Sequence, residues 1–482
     1  MIKEQKRDAN DIFGMPILGF IFKNSLFVSG VRFLVFLLFA YAIFLGFVDN
    51  SPENSFTEEL FLGLFWPFFM VLSLPLIGRA FCGICPHNFL GKYLTKMGAK
   101  RDVPAWLQNR YIGLAIIILG WWAVYYAAPS LYKTPIAVAT FFLFLTIIAV
   151  VIFFLYKEMA YCKYVCPIGT LSRGFSKLSP TWLSTYKSAC GECKTFDCAN
   201  ACEANLKPFT FDTKNSMGDC TLCMDCANAC EGVKFSFTKP SSALFKNFKF
   251  EKAEVWAFIL ITAAISITMT FHHALGRTAI VKDFIWSKSA AWFSQNIIDL
   301  PSVDVVGVFA FIYAMILTVG VVMIGMFIAS KILDEKYEKT FYTLGYAFAP
   351  IFIIGGLSHL LEAFFTHNYS AIANGLIYGL HLPFEPVSNL AQRGDAWLRI
   401  FGFFPYIAAI WAYVIMAKRM KFFEASKLKK IVAFFFASAL ITLFLWLNFY
   451  KIYVYKTYGF AKMQHHASSM QLKALKGASS PA

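Results

Sequence analysis

Apolar runs of about 20 residues alternate with short polar segments along most of the chain. A helix of about 20 residues crosses the hydrocarbon core of a bilayer, and nine runs approach or exceed this length. They cover residues 31–48, 60–78, 111–128, 134–156, 254–271, 303–330, 341–365, 400–417 and 431–450. Residues 1–30 mix apolar and basic positions without a small-residue cleavage site. They predict an amphipathic segment at the membrane surface rather than a signal peptide.

One long segment interrupts this pattern. Between the fourth and fifth runs, over residues 157–250, Asp, Asn, Lys and Cys replace Phe and Ile. This composition predicts a soluble domain between two membrane regions, 31–156 and 251–450, with a polar tail at 451–482.

The composition agrees with a membrane protein. Of the 482 residues, 58% are hydrophobic and 15% are charged, whereas a soluble domain is about half apolar and about a quarter charged. The net charge of +16 comes mostly from Lys and Arg in short loops beside apolar runs, so we expect no nucleic-acid partner. No glycine-rich nucleotide loop is evident, which disfavours direct chemistry on NADH or ATP.

The loop charges predict an orientation. Residues 49–59 carry four acidic and no basic side chains, whereas 79–110, 157–187 and 418–430 are rich in Lys and Arg. By the positive-inside rule, the N-terminus and all twelve Cys lie on the cytoplasmic side of a bacterial-type inner membrane. Nine spans then place the C-terminus outside. The basic tail argues against that, and an additional span near 371–390 would reverse it.

The twelve Cys form three sets of four. A disulfide framework is a poor explanation for cytoplasmic thiols, and the tight Cys-x2-Cys spacing favours metal ligation. One run, Cys220 to Cys230, reads Cys-x2-Cys-x2-Cys-x3-Cys, which is the bacterial ferredoxin spacing. The run from Cys190 to Cys202 has two extra residues before its third Cys, and both runs end in Cys-Ala-Asn-Ala-Cys.

In ferredoxins with this spacing, three Cys of one run hold a cluster and the fourth reaches the other cluster. The pattern therefore predicts two [4Fe–4S] clusters, with zinc as the alternative metal. One cluster would be held by Cys190, Cys193, Cys198 and Cys230, and the other by Cys220, Cys223, Cys226 and Cys202. Glu203 and Glu231 stand where a Pro usually follows the fourth Cys. The predicted fold is a polytopic α-helical membrane protein of about nine spans with an inserted α+β dicluster ferredoxin-like domain.

The other four Cys follow the second and fourth apolar runs. Cys82 and Cys85 lie in Cys-x2-Cys-Pro, and Cys162 and Cys166 lie in Cys-x3-Cys-Pro. Over about residues 30–240, the order of these motifs resembles the membrane-bound polyferredoxins. That family includes NapH-type proteins of nitrate reduction, NosR-type proteins of nitrous-oxide reduction and the accessory protein of cbb3-type cytochrome oxidase. Its paired motifs read Cys-x3-Cys-Pro, so Cys82–Pro86 is one residue short.

The resemblance implies that the edge Cys pairs are redox-active. It also implies that the protein serves a respiratory reductase or oxidase, either by supplying electrons or by maintaining a copper site. Four thiols at two adjacent helix ends could hold a third cluster or form two dithiol pairs, and structural helix-end Cys remain the simpler alternative. The second half of the chain carries no such resemblance.

Several His lie near the predicted outer ends of the fifth and seventh runs. These are His272, His273, His359, His367 and His381, while His465 and His466 lie in the tail near Met463 and Met470. Glu362 follows His359 on the same helical face. Neutral imidazoles suit a haem b, a copper ion or a hydrogen bond to a quinone, whereas solvated interfacial His are the alternative.

Together, these motifs predict a membrane iron–sulfur protein that links cytoplasmic clusters to an acceptor in the membrane or on its outer face. Two other functions remain open. One is a quinol or quinone oxidoreductase with a site around His359. The other is an assembly or regulatory factor for a metal site such as copper.

Overall fold

The computed structural model describes residues 7–191, 193–211 and 217–460, which are mostly helical. Seven helices in this part of the chain are long and apolar enough to cross a membrane, and a bent pair of helices makes up to eight. We number these helices, together with one shorter apolar helix, α1 to α9 in chain order. They are α1 Ser25–Val48, α2 Ser55–Ile77, α3 Tyr111–Ala127, α4 Pro135–Leu155, α5 Lys252–Arg277, α6 Val305–Leu333, α7 Tyr337–Gly379, α8 Ala396–Phe422 and α9, the pair Lys427–Ala437 and Ala439–Tyr458. These helices indicate a multi-pass membrane protein.

Each of the nine predicted runs coincides with a helix, but their number as membrane spans stays a prediction. The shorter helix α3 lies below the length expected for a span. The seventh run was predicted to end at residue 365, and this boundary was wrong. Helix α7 has 43 residues, or about 65 Å at 1.5 Å per residue, roughly twice the thickness of a bilayer core. The region near 371–390, where an additional span was considered, therefore begins within α7.

The far end of α7 packs on the loop between α1 and α2. The Tyr41 hydroxyl donates to the Gly379 carbonyl at 2.6 Å, and the Tyr378 hydroxyl donates to Asp49 at 2.6 Å. A Cβ at Gly379 would come within 2.4 Å of the Phe56 ring. The second membrane region therefore covers the end of the first one that lies opposite the Cys motifs.

The segment between α4 and α5 contains a small two-stranded sheet. Strand β1, Thr181–Thr185, pairs antiparallel with β2, Val233–Phe237, in the register Leu183↔Phe235. The shorter helices of the chain include Pro16–Lys23, Ala80–Ile84, Pro86–Met97, Pro167–Phe175, Lys187–Cys190, Asp197–Asn200, Asp225–Ala229 and Ile285–Asn296. Helices Asp197–Asn200 and Asp225–Ala229 both start with Asp-Cys-Ala-Asn and follow a left-handed residue, Phe196 or Met224. This shared geometry supports a duplicated unit.

The chain near the N-terminus joins this sheet. Asp11 forms a β-bridge with Ser236, and its carboxylate accepts hydrogen bonds from the Tyr186 hydroxyl and the Phe235 amide. Ile12 is buried in the same core as Phe235. This part of the predicted interfacial segment thus packs against the soluble domain, while its contact with a membrane stays a prediction. Of the predicted polar tail, the residues after 460, including His465 and His466, lie outside the described residues.

Candidate iron–sulfur sites

Two similar turns at the ends of α2 and α4 carry the edge Cys pairs. We call these four thiols the third quartet: Cys82, Cys85, Cys162 and Cys166. In each turn the second Cys is the N-cap of a helix whose first residue is Pro86 or Pro167. Proline is favoured there because its ring fixes a helical φ and the missing amide donor is not needed. The backbone amide of Gly169, in the first turn of this helix, donates a hydrogen bond to the Cys166 Sγ atom at 3.3 Å. The helix N-terminus can therefore stabilise a thiolate.

The tertiary fold brings the third quartet together. Burial, with the neighbouring Cys166 and Cys82 thiols, raises the pKa of Cys85 to about 12. Burial also raises the pKa of Cys162 well above its ordinary value, and the other three thiols act in the same direction. Four buried thiolates would therefore repel each other unless a cationic centre balanced them. A [4Fe–4S] cluster, which takes four Cys thiolates, fits this set of donors.

The eight remaining thiols belong to the two predicted ferredoxin-like runs and lie near one another. We call Cys190, Cys193, Cys198 and Cys230 the first quartet, and Cys202, Cys220, Cys223 and Cys226 the second quartet. After burial, the thiols that raise the Cys198 pKa, to about 11, are the other three of the first quartet. For Cys226 the largest contributions after burial come from Cys220, Cys223 and Cys202. Cluster ligation by either group stays a prediction.

The three quartets form a row. Cys198 of the first quartet is among the thiols that raise the Cys226 pKa, so the first and second quartets are neighbours. Burial raises the pKa of Cys220 to about 12, and Cys202 and Cys82 add to this shift. Cys82 belongs to the third quartet, so the second quartet lies between the other two.

Two buried arginines join the loops of the second and third quartets. Arg32 donates from Nε to the Gly83 carbonyl at 2.8 Å and from Nη2 to the Cys223 carbonyl. Arg79 donates from Nη1 to the Gly218 carbonyl at 2.7 Å, and its Nη2 lies 3.6 Å from the Cys82 Sγ atom.

The backbones of the two loops also touch. A Cβ on Gly83 would lie 2.8 Å from the Leu222 carbonyl oxygen. Only glycine allows this approach, and it brings the two cluster loops into van der Waals contact.

An apolar cavity of about 300 Å³ lies on the membrane side of the third quartet, whose four thiols line it. Its other walls include Phe61, Phe65, Phe142 and Trp121 from the membrane helices. His87, also in the wall, is mostly buried and forms a 2.9 Å hydrogen bond with the Thr146 hydroxyl. Burial lowers the pKa of His87 to about 4, so its imidazole is neutral at pH 7. The cavity is a concave, mostly apolar site with a few polar groups, His87, Arg79, Asn88 and Thr221.

Arg79, Arg32 and His87 are not among the residues predicted from the sequence. His87 directly follows a Cys-Pro pair and Arg79 precedes Cys82 by three residues, so proximity to the motif was the available signal. No local signal pointed to Arg32, which lies in the first apolar run and reaches the second quartet only in the tertiary fold.

The predicted outer His do not assemble a metal site in the described part of the chain. His272 forms a 2.8 Å hydrogen bond with Asp304, and its ring packs at 4.9 Å from that of His273. The charge of His359 acts on His273, so α5 and α7 bring these two His near each other. His359, His367 and His381 are exposed.

Among residues 7–191, 193–211 and 217–460, no three His, Cys, Asp or Glu side chains converge as ligands of a single ion. Zinc stays the alternative metal for each quartet.

Comparison with known proteins supports the iron–sulfur interpretation. A family described as a 4Fe-4S binding domain matches residues 59–104 and 138–185. These two segments contain the third quartet and both Cys-Pro helix ends, but not the ferredoxin runs between residues 190 and 230. Iron–sulfur binding is therefore supported independently of the ferredoxin spacing.

Two relatives are similar over part of the chain. One, named "Putative electron transport protein YccM", is from Escherichia coli and is 27% identical over 201 residues, which are 36% of this chain and 55% of the relative. The chain thus spans about half the length of that protein. The other, "Uncharacterized protein MJ0750" from Methanocaldococcus jannaschii, is 28% identical over 232 residues, 43% of this chain and 90% of the relative. No solved structure matches the chain. These similarities support an iron–sulfur electron-transfer role, and the narrower resemblance to NapH-type and NosR-type proteins stays a prediction.

Proposed function

We propose that this protein carries three [4Fe–4S] clusters in a row and conducts electrons between the soluble domain and the membrane. The observation that supports this most directly is the contact between the second and third quartets, where Gly83 meets Leu222 and two arginines join the loops. When bound, the clusters would store and pass single electrons. The chain supplies twelve thiols, excludes water by burial and fixes the spacing between neighbouring sites.

The surroundings of the quartets suggest the two ends of this path. The first quartet lies in the segment between α4 and α5, and the third quartet opens into the apolar cavity between the membrane helices. We therefore expect an electron-transfer partner to meet the first quartet. On the positive-inside argument, that side is cytoplasmic, and the partner is a respiratory reductase or oxidase, or a protein that serves one.

A quinone is the best candidate for the acceptor or donor at the membrane end. The cavity is lined mostly by apolar and aromatic side chains and borders the third quartet, and His87 offers a polar ring atom in its wall. These features fit a lipid-soluble carrier with a polar headgroup. These features support a quinone site beside the third quartet rather than at His359.

Replacing Cys162 and Cys166 together with Ser tests the proposal. Three clusters require about twelve iron atoms per chain, and this variant should keep about eight. In this variant, dithionite should still reduce the clusters of the first and second quartets. Electron transfer from these clusters to a soluble quinone analogue should stop. The matched variant Cys190→Ser with Cys193→Ser should also lose about four irons while keeping the third-quartet signal. Unchanged iron content in the Cys162/Cys166 variant would contradict the third cluster.

A further inference from the structure

The side chain of Arg79 occupies a buried position between the second and third quartets. It is 3% exposed. One donor, Nη1, binds the Gly218 carbonyl, and a second, Nη2, points at the Cys82 Sγ atom. The third donor, Nε, is buried and has no hydrogen-bond partner among the described residues. A buried N–H without an acceptor costs about 1–3 kcal/mol, so this atom indicates that a partner belongs at the site.

The chemistry of the site identifies that partner. Arg79 lies in the wall of the cavity that holds all four thiols of the third quartet. A cluster bound by these thiols brings sulfur atoms that accept N–H hydrogen bonds, and such bonds are among the groups that set cluster potentials. The guanidinium is permanently charged and presents its donors in a fixed fork.

Among the described residues, no carboxylate forms an ion pair with Arg79 at contact distance. Asp219 acts on it only through space, and that carboxylate already accepts two hydrogen bonds from Arg110, at 3.0 and 3.1 Å, and one from Arg173. Arg79 therefore faces the third quartet as a buried cation without a contacting counterion in the described part of the chain. Reduction of a cluster adds one electron and one unit of negative charge, which a nearby cation stabilises.

We propose that Arg79 is a positioning residue that raises the reduction potential of the third cluster through its charge and its N–H···S hydrogen bonds. This inference rests on the proposed third cluster. Arg79 donates a hydrogen bond to the Cys82 thiol of the third quartet. Its hydrogen bond to the loop of the second quartet goes to the Gly218 carbonyl, and its charge acts on the Cys220 thiol only through space, so the third cluster is affected most. An electron shared among the clusters then resides mostly on the third cluster, which lies next to the apolar cavity.

Arg32 provides a matched control. It is 5% exposed and joins the same two loops, but its hydrogen bonds go to the carbonyls of Gly83 and Cys223. Its charge also faces Asp225, at 3.8 Å. Arg32 thus joins the two loops as Arg79 does, but its hydrogen bonds go to carbonyls and not to a thiol.

The test is a redox titration followed by EPR on anaerobically purified full-length protein, with the third-cluster signal assigned by its loss in the Cys162/Cys166 variant. We expect R79Q to shift the midpoint of that signal to a more negative potential and to leave the first cluster unchanged. R32Q should leave the midpoint unchanged. A fully assembled R79Q protein with an unshifted third-cluster midpoint would overturn the proposal.

If R79Q does not retain its third cluster, R79K decides the question. Lysine keeps the charge but lacks the fork and the Nε donor, so the midpoint should fall by a smaller amount. An unshifted midpoint in R79K would then overturn the hydrogen-bonding role. Absence of a third signal from the unmodified protein would overturn both this inference and the proposed function, whereas an unshifted variant overturns only the inference.

Discussion

Glu254 is the centre of a buried ionic network that ties the second membrane region to the second quartet. Its Oε1 atom accepts from Lys177 at 2.6 Å and from Arg173 at 3.1 Å, and its Oε2 atom accepts from the Tyr346 hydroxyl at 2.6 Å. Arg173 in turn binds Asp219, which immediately precedes Cys220. We predict that Glu254→Gln destabilises the protein strongly while keeping the shape of the side chain.

The magnitude follows from what the substitution leaves behind. Arg173 keeps Asp219 as a counterion. Lys177, only 5% exposed at its side chain, keeps the Arg173 carbonyl at 3.3 Å and the face of the Tyr346 ring at 5.9 Å, but no ion pair with a described carboxylate. Removing one partner of a buried ion pair costs about 3–5 kcal/mol, because the remaining charge is uncompensated. Replacing both partners with neutral groups of similar volume is often close to neutral. The double variant Glu254→Gln with Lys177→Met should therefore recover much of the lost stability.

Equilibrium unfolding in mixed micelles, with SDS as denaturant and near-UV circular dichroism as the signal, measures these differences. The control is the pair Lys252–Glu338, which lies near the same end of α5 but is exposed on both sides. Glu338→Gln should cause no measurable change, because solvent screens such pairs. A loss below about 1 kcal/mol for Glu254→Gln, or a double variant as unstable as the sum of its parts, would refute the reasoning.

Two further variants test local geometry. Gly83→Ala places a methyl group 2.8 Å from the Leu222 carbonyl and should cost about 1–3 kcal/mol by overpacking; Gly30→Ala, which meets nothing within 4 Å, should cost nothing in the same unfolding assay. Asp304 caps α6 through the Gly307 amide, so Asp304→Ala should be about 1 kcal/mol less stable than Asp304→Asn, which keeps an acceptor. Equal losses for the two Asp304 variants would show that the contact with His272 matters more than the cap.

Much of the architecture could be predicted from local pattern. Apolar runs identified all nine helices because lipid requires every backbone group to be bonded within the segment. The spacing of Cys190 to Cys230 predicts which thiols share a quartet, since a cubane needs three ligands on one tight loop and a fourth from the paired unit, and this assignment stays a prediction. Both features depend on residues that are close in sequence or repeated in it.

The parts that sequence could not predict depend on contacts between distant segments. The pairing of Asp11 with Ser236 joins the start of the chain to a strand more than 200 residues later. The hydrophobic pattern of residues 341–365 predicted a span but not the continuation of the helix to Gly379. The residues after 365 are polar enough to end a span, yet they still suit a helix that packs on another part of the protein. The contact of Gly83 with Leu222 has no signature in either segment alone.

The buried network also explains why a large second membrane region accompanies a cluster module. Arg173 and Lys177 lie on or just after the helix that begins at Pro167, next to the third quartet, and they need an anion in a buried position. Glu254 of α5 and the hydroxyl of Tyr346 in α7 provide it. Arg110 and Arg173 hold Asp219, beside Cys220, from the first half of the chain. The second membrane region supports this loop indirectly, because Glu254 is the second counterion of Arg173.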